Sequence, residues 1–504
     1  MSSEAGRRDI RHRPLHIETT ERASLAAPRG SWRIRMLNLT DTSVHKSCAG
    51  LSRREVLRIG ALGLGGLTLP DLLRAREEVA AAGGSVRDVS VVLLFLQGGP
   101  SHIECFDPKM EAPSEIRSTT GEVPTKLPGI TFGGTFSKMG RLADKLTVVR
   151  SYQSKNGGHT YQDVVSARNS LKASMSALYA RAAGTSNPNT GLPSNTLILP
   201  EAIKPDLKLR GNFEKNALPG LTAGGSLGGS YEAFNPVGGG AARDNMELQL
   251  PQSRFANRRN LLSSLDGWRR SVEDSGRLGI VDRYRQQAYD ILLRGVGDAF
   301  DLSKEDPKTI ARYDTTGLFD MKVLNRYNDM YRSSNLLGHQ MLMARRLCEA
   351  GCGFVTVADA GWDMHGNQNS LPRLSGMEPL GNQVDHAVSV FLEDLEERGL
   401  SDKILLVITG EMGRSPKING RGGRDHYGNL TSLVFAGGGL NMGQVIGRSD
   451  SQCAHPATEA YGPENLLATV MHTLFDTTAM RLRTDIPSTV SELITDGHPI
   501  PGLL

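Results

Sequence analysis

The sequence predicts an α/β fold: a doubly wound, mainly parallel sheet flanked by helices and interrupted by a Gly/Pro-rich insertion. Three observations point there. Short, continuous apolar runs rich in Val, Ile and Leu read as strands buried on both faces. Amphipathic helical stretches separate the later runs, which is the alternation of a parallel sheet. Ionisable residues gather just after these runs, where parallel sheets bind ligands.

Residues 89–96 (Val-Ser-Val-Val-Leu-Leu-Phe-Leu) form the first expected strand, running into the Gln97-Gly-Gly-Pro100 loop. A second covers 146–150, after a turn-rich stretch over 101–140. From 184 to 242 the chain is dense in Gly, Pro, Asn and Ser, as in Gly220-Leu-Thr-Ala-Gly-Gly-Ser-Leu-Gly-Gly229, and reads as a surface insertion over a cleft. The insertion extends to about 330, and polar helices are expected over 253–300 and 322–350. Leu337, Met341, Ala344 and Cys348 in the latter follow the helical repeat. Strand 353–357, helix 383–398 with Val384, Ala387, Val388, Phe391 and Leu395 on one face, strands 404–409 and 432–436, and helix 464–475 complete one domain over 86–504. With 504 residues, 38% of them apolar, the chain is long enough for one large core with appended layers.

Residues 1–82 read as a leader. Ser52-Arg53-Arg54-Glu55-Val56-Leu57-Arg58 precedes a Gly-rich apolar run over 59–69 that ends at Pro70, and Ala80-Ala81-Ala82 offers a small-residue cleavage site. This is the pattern of twin-arginine export, so the protein is expected to engage the twin-arginine machinery and reach the periplasm or the extracellular space. Proteins using that signal class fold, often with a cofactor inserted, before translocation. Met36 would give a leader of ordinary length and is the alternative start. The apolar run is too short for the roughly 20 residues that a bilayer requires, so no stable membrane span is expected.

The formal charge of +4 belongs to the leader, where 14 Lys and Arg face 9 Asp and Glu; the remainder is nearly neutral. A neutral body without a basic stripe argues against a nucleic-acid partner. Beyond Cys48, the cysteines are Cys105, Cys348, Cys352 and Cys453. Their spacing lacks the paired close ligands of a structural zinc site, so they are expected as core thiols.

Two consecutive strands end in ionisable clusters, Gly361-Trp-Asp-Met-His365 and Gly410-Glu-Met-Gly-Arg414. Asp363 and His365 fall on the same side of an extended segment, and His with carboxylate suits zinc, iron or manganese. Gly423-Arg-Asp-His426 is a third such site. His102 and His159 follow the first two strands. Each histidine alone reads as a hydrogen-bonded loop residue before a ligand; together these residues mark one edge of the sheet.

Gly98-Gly-Pro-Ser-His-Ile-Glu-Cys-Phe-Asp-Pro-Lys109, Ala344-Arg-Arg-Leu-Cys-Glu-Ala-Gly351, Gly361-Trp-Asp-Met-His365, Gly410-Glu-Met-Gly-Arg-Ser-Pro416 and Gly423-Arg-Asp-His426 resemble the bacterial family called domain of unknown function 1501. That family is distantly similar to the alkaline phosphatase and sulfatase superfamily. The resemblance implies an alkaline-phosphatase-like fold and a metal held by Asp363, His365 and His426, with Glu411 as fourth ligand or as base. The superfamily's second metal would fall at Gln97-Gly98-Gly99 and Glu411-Met412, where only Glu411 can serve. Its nucleophile falls near His159-Thr160, with Thr160 attacking and His159 as the nearest base. The Cys/Ser-x-Pro-x-Arg signature of formylglycine sulfatases is absent.

The implied activity is hydrolysis of a phosphate or sulfate ester of a small molecule or saccharide, with a divalent zinc, manganese, calcium or iron ion. The alternative is a non-catalytic ligand-binding protein that keeps the fold. Arg414 and Arg424 suit an anionic ester or else serve structure. Export is testable without knowing the substrate: replacing Arg53 and Arg54 by Lys should leave unprocessed protein in the cytoplasm on fractionation, whereas unchanged export would refute the route.

Overall fold

In a computed structural model, residues 84–209, 213–236 and 296–504 are described, all within the folding unit Arg76–Leu504. The leader with its Arg53-Arg54 pair, and nearly all of the helix expected over 253–300, lie outside the described residues. The strands are β1 (Ser90–Leu96), β2 (Glu122–Pro124), β3 (Thr131–Gly133), β4 (Leu146–Val149), β5 (Asn195–Ile198), β6 (Phe354–Asp359), β7 (Ile404–Thr409), β8 (Gly413–Arg414), β9 (His426–Tyr427), β10 (Leu433–Gly437) and β11 (Gln444–Ile446). Seven build the main sheet in the order β11-β4-β10-β7-β1-β6-β5. All run the same way except β10, which pairs antiparallel with both β4 and β7.

Alternation along the central strands sorts their apolar side chains between two layers. From β1, Val92, Leu94 and Leu96 enter one core, and Val91, Leu93 and Phe95 the other. Five helices matter most: α1 (Met175–Ala183), α2 (Leu337–Glu349), α3 (Met377–Glu397), α4 (Pro463–Leu474) and α5 (Ser488–Thr495). α2 and α3 cover the first face through Leu337, Met341, Val384, Val388 and Phe391. α1, α4 and α5 cover the second through Leu178, Leu466, Val470 and Val490. The sheet is therefore doubly wound, and each large apolar side chain buried in it contributes about 1.5–3 kcal/mol. α4 starts where Pro463 supplies a first-turn residue with no N–H to satisfy, and the Asn465 side chain accepts from Gly462 N at 2.9 Å. Among the described residues, no helix is long and apolar enough to cross a membrane. Cys105, Cys348, Cys352 and Cys453 are free and buried, as core thiols.

Two expectations are corrected. Asn195–Ile198, inside the stretch read as a surface insertion, is the edge strand β5, fully buried and parallel to β6. Four residues between Gly/Pro-rich flanks carry no periodicity to recognise; pairing with β6 makes the strand. The helix expected over 322–350 is continuous only from Leu337. Before it, Asn325 and Asn335 bond backbone groups of other turns, Asn325 holding both Arg332 N and Arg332 O. Side chains of this kind compete with the helix for its own hydrogen bonds.

After β1, Ser101 caps the single helical turn His102–Cys105 by accepting from Glu104 N at 3.4 Å. Glu104 is fully buried and pairs with the equally buried Arg424, at 2.8 Å to Nη2 and 3.1 Å to Nε. Its other oxygen accepts from Ser118 Oγ and Thr119 N, both at 2.9 Å. This pair ties the loop after β1 to the segment that enters β9. Removing one member leaves an uncompensated buried charge, so Glu104→Ala should cost about 3–5 kcal/mol in urea unfolding; a loss under about 1 kcal/mol would show that the pair anchors nothing.

Candidate metal centre

The parallel strands β1, β4, β6 and β7 end along one edge, and the reversed β10 begins there, with Leu433 opposite Thr409. Residues before β10 thus meet residues after β6 and β7. This is how His426, more than sixty positions after Asp363, reaches it. Asp363 is almost fully buried. Its Oδ1 receives His365 Nε2 at 2.9 Å and His426 Nε2 at 3.1 Å, and also Arg414 Nη2; Oδ2 faces His159 Nε2 at 3.2 Å.

The loops are packed too closely for side chains at two glycines. Gly98 has φ +113°, and a Cβ there would stand 2.5 Å from Asp363 N. Gly423 lies so tightly on the His365 carbonyl that a Cβ would overlap it.

The outer nitrogens of two of the three rings also face oxygen. His159 Nδ1 is 2.8 Å from Glu411 Oε1 and His426 Nδ1 is 3.2 Å from Gly157 O, whereas His365 Nδ1, 3.7 Å from Asp425 Oδ1, is beyond hydrogen-bond distance. A neutral imidazole has one N–H, so it cannot donate at both ends. For His159 and His426, a cation between Nε2 and Asp363 would leave each ring its single N–H for the outer oxygen. The backing of Nδ1 by carboxylate or carbonyl is the usual support of a metal-ligating histidine. Ligands about 2.0–2.2 Å from a tetrahedral ion stand about 3.3–3.6 Å apart, so the 2.9–3.2 Å separations about Asp363 would open by a few tenths of an ångström around an ion.

The ligand atoms divide into two sets, each mutually within 4.8 Å: His159, Asp363 and His426, and Asp329, Asp363 and His365. The trio Asp363, His365 and His426 expected from sequence is thus split between two sets that share Asp363. Glu411, expected as ligand or base, stands behind His159, fully buried, and accepts from Gly98 N at 2.9 Å. His159, expected as a base for Thr160, turns both nitrogens to carboxylates instead. Thr160 is exposed beside it. His102 turns away: it is buried, with Nε2 3.1 Å from Cys453 O, and burial lowers its pKa to about 4.

Arg414 and Arg424 are both buried and committed within the protein. Arg414 donates to the carbonyls of Gly98, Gly99 and Arg424 as well as to Asp363. Arg424 donates to Glu104 and to the carbonyls of Pro416 and Ile116. Neither guanidinium is free to grip an anion. Sequence reasoning missed Asp329, which lies in a 3-10 turn, Asn328–Met330, inside the stretch read as helix. It also missed the Phe213 ring, 5.1 Å from that of His159.

Burial opposes the charge on Asp363, but hydrogen bonds from His159, His365 and His426, with the Arg414 charge, hold its pKa well below the usual carboxylate range. Burial, then the Asp363 charge, raises that of Asp329. For His159, burial alone would lower the pKa; the bonds and charges of Asp363 and Glu411 outweigh it and raise it to about 9.

The sequence profile of the family described as "Protein of unknown function (DUF1501)" matches residues 88–496. No curated protein matches the sequence. Among solved structures, the chain is similar to the PsFucS1 sulfatase from Pseudoalteromonas sp., at 11% identity and a TM-score of 0.34, over 81% of this chain and 72% of that one. It is also similar to the alkaline phosphatase from the Antarctic bacterium TAB5, at 10% identity and a TM-score of 0.30, over 78% of this chain and 99% of that one.

In metal-free protein, His159 should titrate by NMR near pH 9. With its folded pKa above the unfolded value of about 6.5, the stabilisation it brings is complete below pH 6.5 and lost as the pH rises through 9. Titration near 6.5 would contradict its double carboxylate contact.

Proposed function

The chain belongs to the DUF1501 family, and on that premise we propose that it is an exported, metal-dependent hydrolase of an anionic ester, with a divalent cation held by His159, Asp363 and His426. The observation that carries this reading is that two imidazoles at Asp363, those of His159 and His426, face oxygen acceptors at both nitrogens. One divalent ion between those two rings and Asp363 relieves that conflict. Phosphate or sulfate as the ester class follows from the resemblance of the strand-end motifs.

When bound, the cation supplies Lewis acidity toward an ester oxygen. The chain's own residues do the positioning. Glu411 holds His159 Nδ1 and thereby fixes the ring, with Nε2 directed at Asp363. Gly157 O does the same for His426. Arg414 keeps Asp363 ionised and anchors it to the loop after β1. The three histidine side chains remain 18–25% exposed, leaving an open side for substrate. Thr160 is the hydroxyl at this edge, and His159 is not available as its base.

A second reading, a binding protein without turnover, is favoured by one observation: both arginines that would grip an ester are spent internally. Turnover separates the two. Metal-loaded protein should hydrolyse a member of a phosphate- and sulfate-ester panel, and His426→Ala should abolish that activity. Chelation should destabilise wild type by about 2.7 kcal/mol if metal had been at a hundredfold excess over Kd. Glu411→Gln should weaken metal binding about 10–100-fold. Ligand binding without turnover would favour the second reading, and a melting temperature indifferent to chelator would overturn the metal in both.

A further inference from the structure

His159 meets two carbon rings. The ring centre of Tyr161 lies 6.3 Å from its own, and that of Phe213 5.1 Å away at an interplanar angle of 60°. Tyr161 is buried and its hydroxyl accepts from Gln97 Nε2 at 2.8 Å, so that ring belongs to the interior. Phe213 is half-buried and ends a chain of ring contacts, His365 to His426 to His159 to Phe213, with centres 4.5, 4.7 and 5.1 Å apart. We infer that Phe213 is a specificity-determining residue: its ring packs against a flat apolar face on the alcohol portion of the ester, so the ligand is the anionic ester of a ring-bearing alcohol. This rests on the reading of His159, Asp363 and His426 as a cation site.

The Phe213 ring is held in place by its own segment. Phe213 opens a single π-helical turn, Phe213–Ala217, a rare element frequent at functional sites. Beside it, Glu214 is almost fully buried and accepts from Ser333 N at 2.9 Å and from Ser333 Oγ at 3.1 Å. A carboxylate out of water persists only where it is bonded, so this contact fixes the position of its neighbour. Arg332, adjacent to Ser333, pairs with Asp359 at the end of β6, and Asp359 Oδ2 accepts from Trp362 Nε1 at 2.9 Å, one residue before Asp363. After the turn, Leu218 and Leu221 are sunk in the second core. The segment is therefore tied both to the strand end that leads to Asp363 and to the sheet itself.

The charged groups of the site leave the choice among alcohols to such a wall. Arg414 and Arg424 are committed within the protein. A cation attracts the charged group of an ester whatever its alcohol, so discrimination falls to side chains beyond it. A phenyl ring there favours a flat apolar face and gives little to a short or strongly hydrated chain.

Calorimetric titration of zinc-loaded, full-length protein with benzylphosphonate, cyclohexylmethylphosphonate and ethylphosphonate tests this without turnover. Wild type should bind the benzyl compound about tenfold more tightly than the ethyl one. Phe213→Ala should bring the two together while its zinc content stays that of wild type. A gain for the benzyl compound alone identifies an aromatic ring as the partner of Phe213, and a gain shared by the cyclohexylmethyl compound a saturated one. Equal binding of benzyl and ethyl compounds by wild type, still abolished by chelator, would overturn the role of Phe213 and leave the cation site standing. A preference that survives Phe213→Ala would put the contact elsewhere and overturn the assignment. Loss of zinc from Phe213→Ala would make the ring a prop for His159 and overturn it equally. No chelator-sensitive binding of any of the three would overturn the cation site as well.

Discussion

A single buried carboxylate, that of Asp363, sets the arrangement of this edge of the sheet. A charge taken out of water is costly unless it is paired and hydrogen-bonded, and here the pairing is supplied by four separate stretches of chain. Arg414 comes from the segment after β7, His365 from its own loop, His159 from the loop after β4, and His426 from the strand before β10. Arg414 also gathers the Gly98 and Gly99 carbonyls, which brings the loop after β1 against the same residue. The close backbone approaches at Gly98 and Gly423 follow from that convergence. These loops converge on one charge.

Around that charge the donors and acceptors do not balance. His159 and His426 meet oxygen on both sides, and Glu411, itself buried, backs His159 with a second negative charge. Extra protons can settle the conflict, which is why the His159 pKa stands near 9. A divalent cation settles it without them. A site that competes for the same positions with protons and with metal binds metal more tightly as the pH rises.

Much of this was legible in the sequence because the strands are short, wholly apolar and followed at once by polar residues. β7 falls exactly where the apolar run 404–409 places it, and the α3 face of Val384, Val388 and Phe391 packs as its spacing requires. Asp363, His365 and His426 could be picked out because each ends or precedes a strand. What the sequence hid depends on pairing and on direction. β5 is recognisable only beside β6, and the reversal of β10 leaves no mark in local composition. Asp329 was concealed by helical-looking surroundings. Glu411, Arg414 and His159 were found as residues but not in their geometry, because which side of an imidazole a carboxylate occupies is decided by loops far apart in the chain. His102 looked equivalent to the other histidines and is not, since its ring turns inward to Cys453 O.

The central claim is that a metal ion belongs between these rings and Asp363. Crystals grown with zinc and measured at its absorption edge test this directly. The expected result is an anomalous peak about 2.0–2.2 Å from His159 Nε2, His426 Nε2 and an Asp363 oxygen. A featureless anomalous map at that position, with the imidazoles still hydrogen-bonded to Asp363, would contradict it.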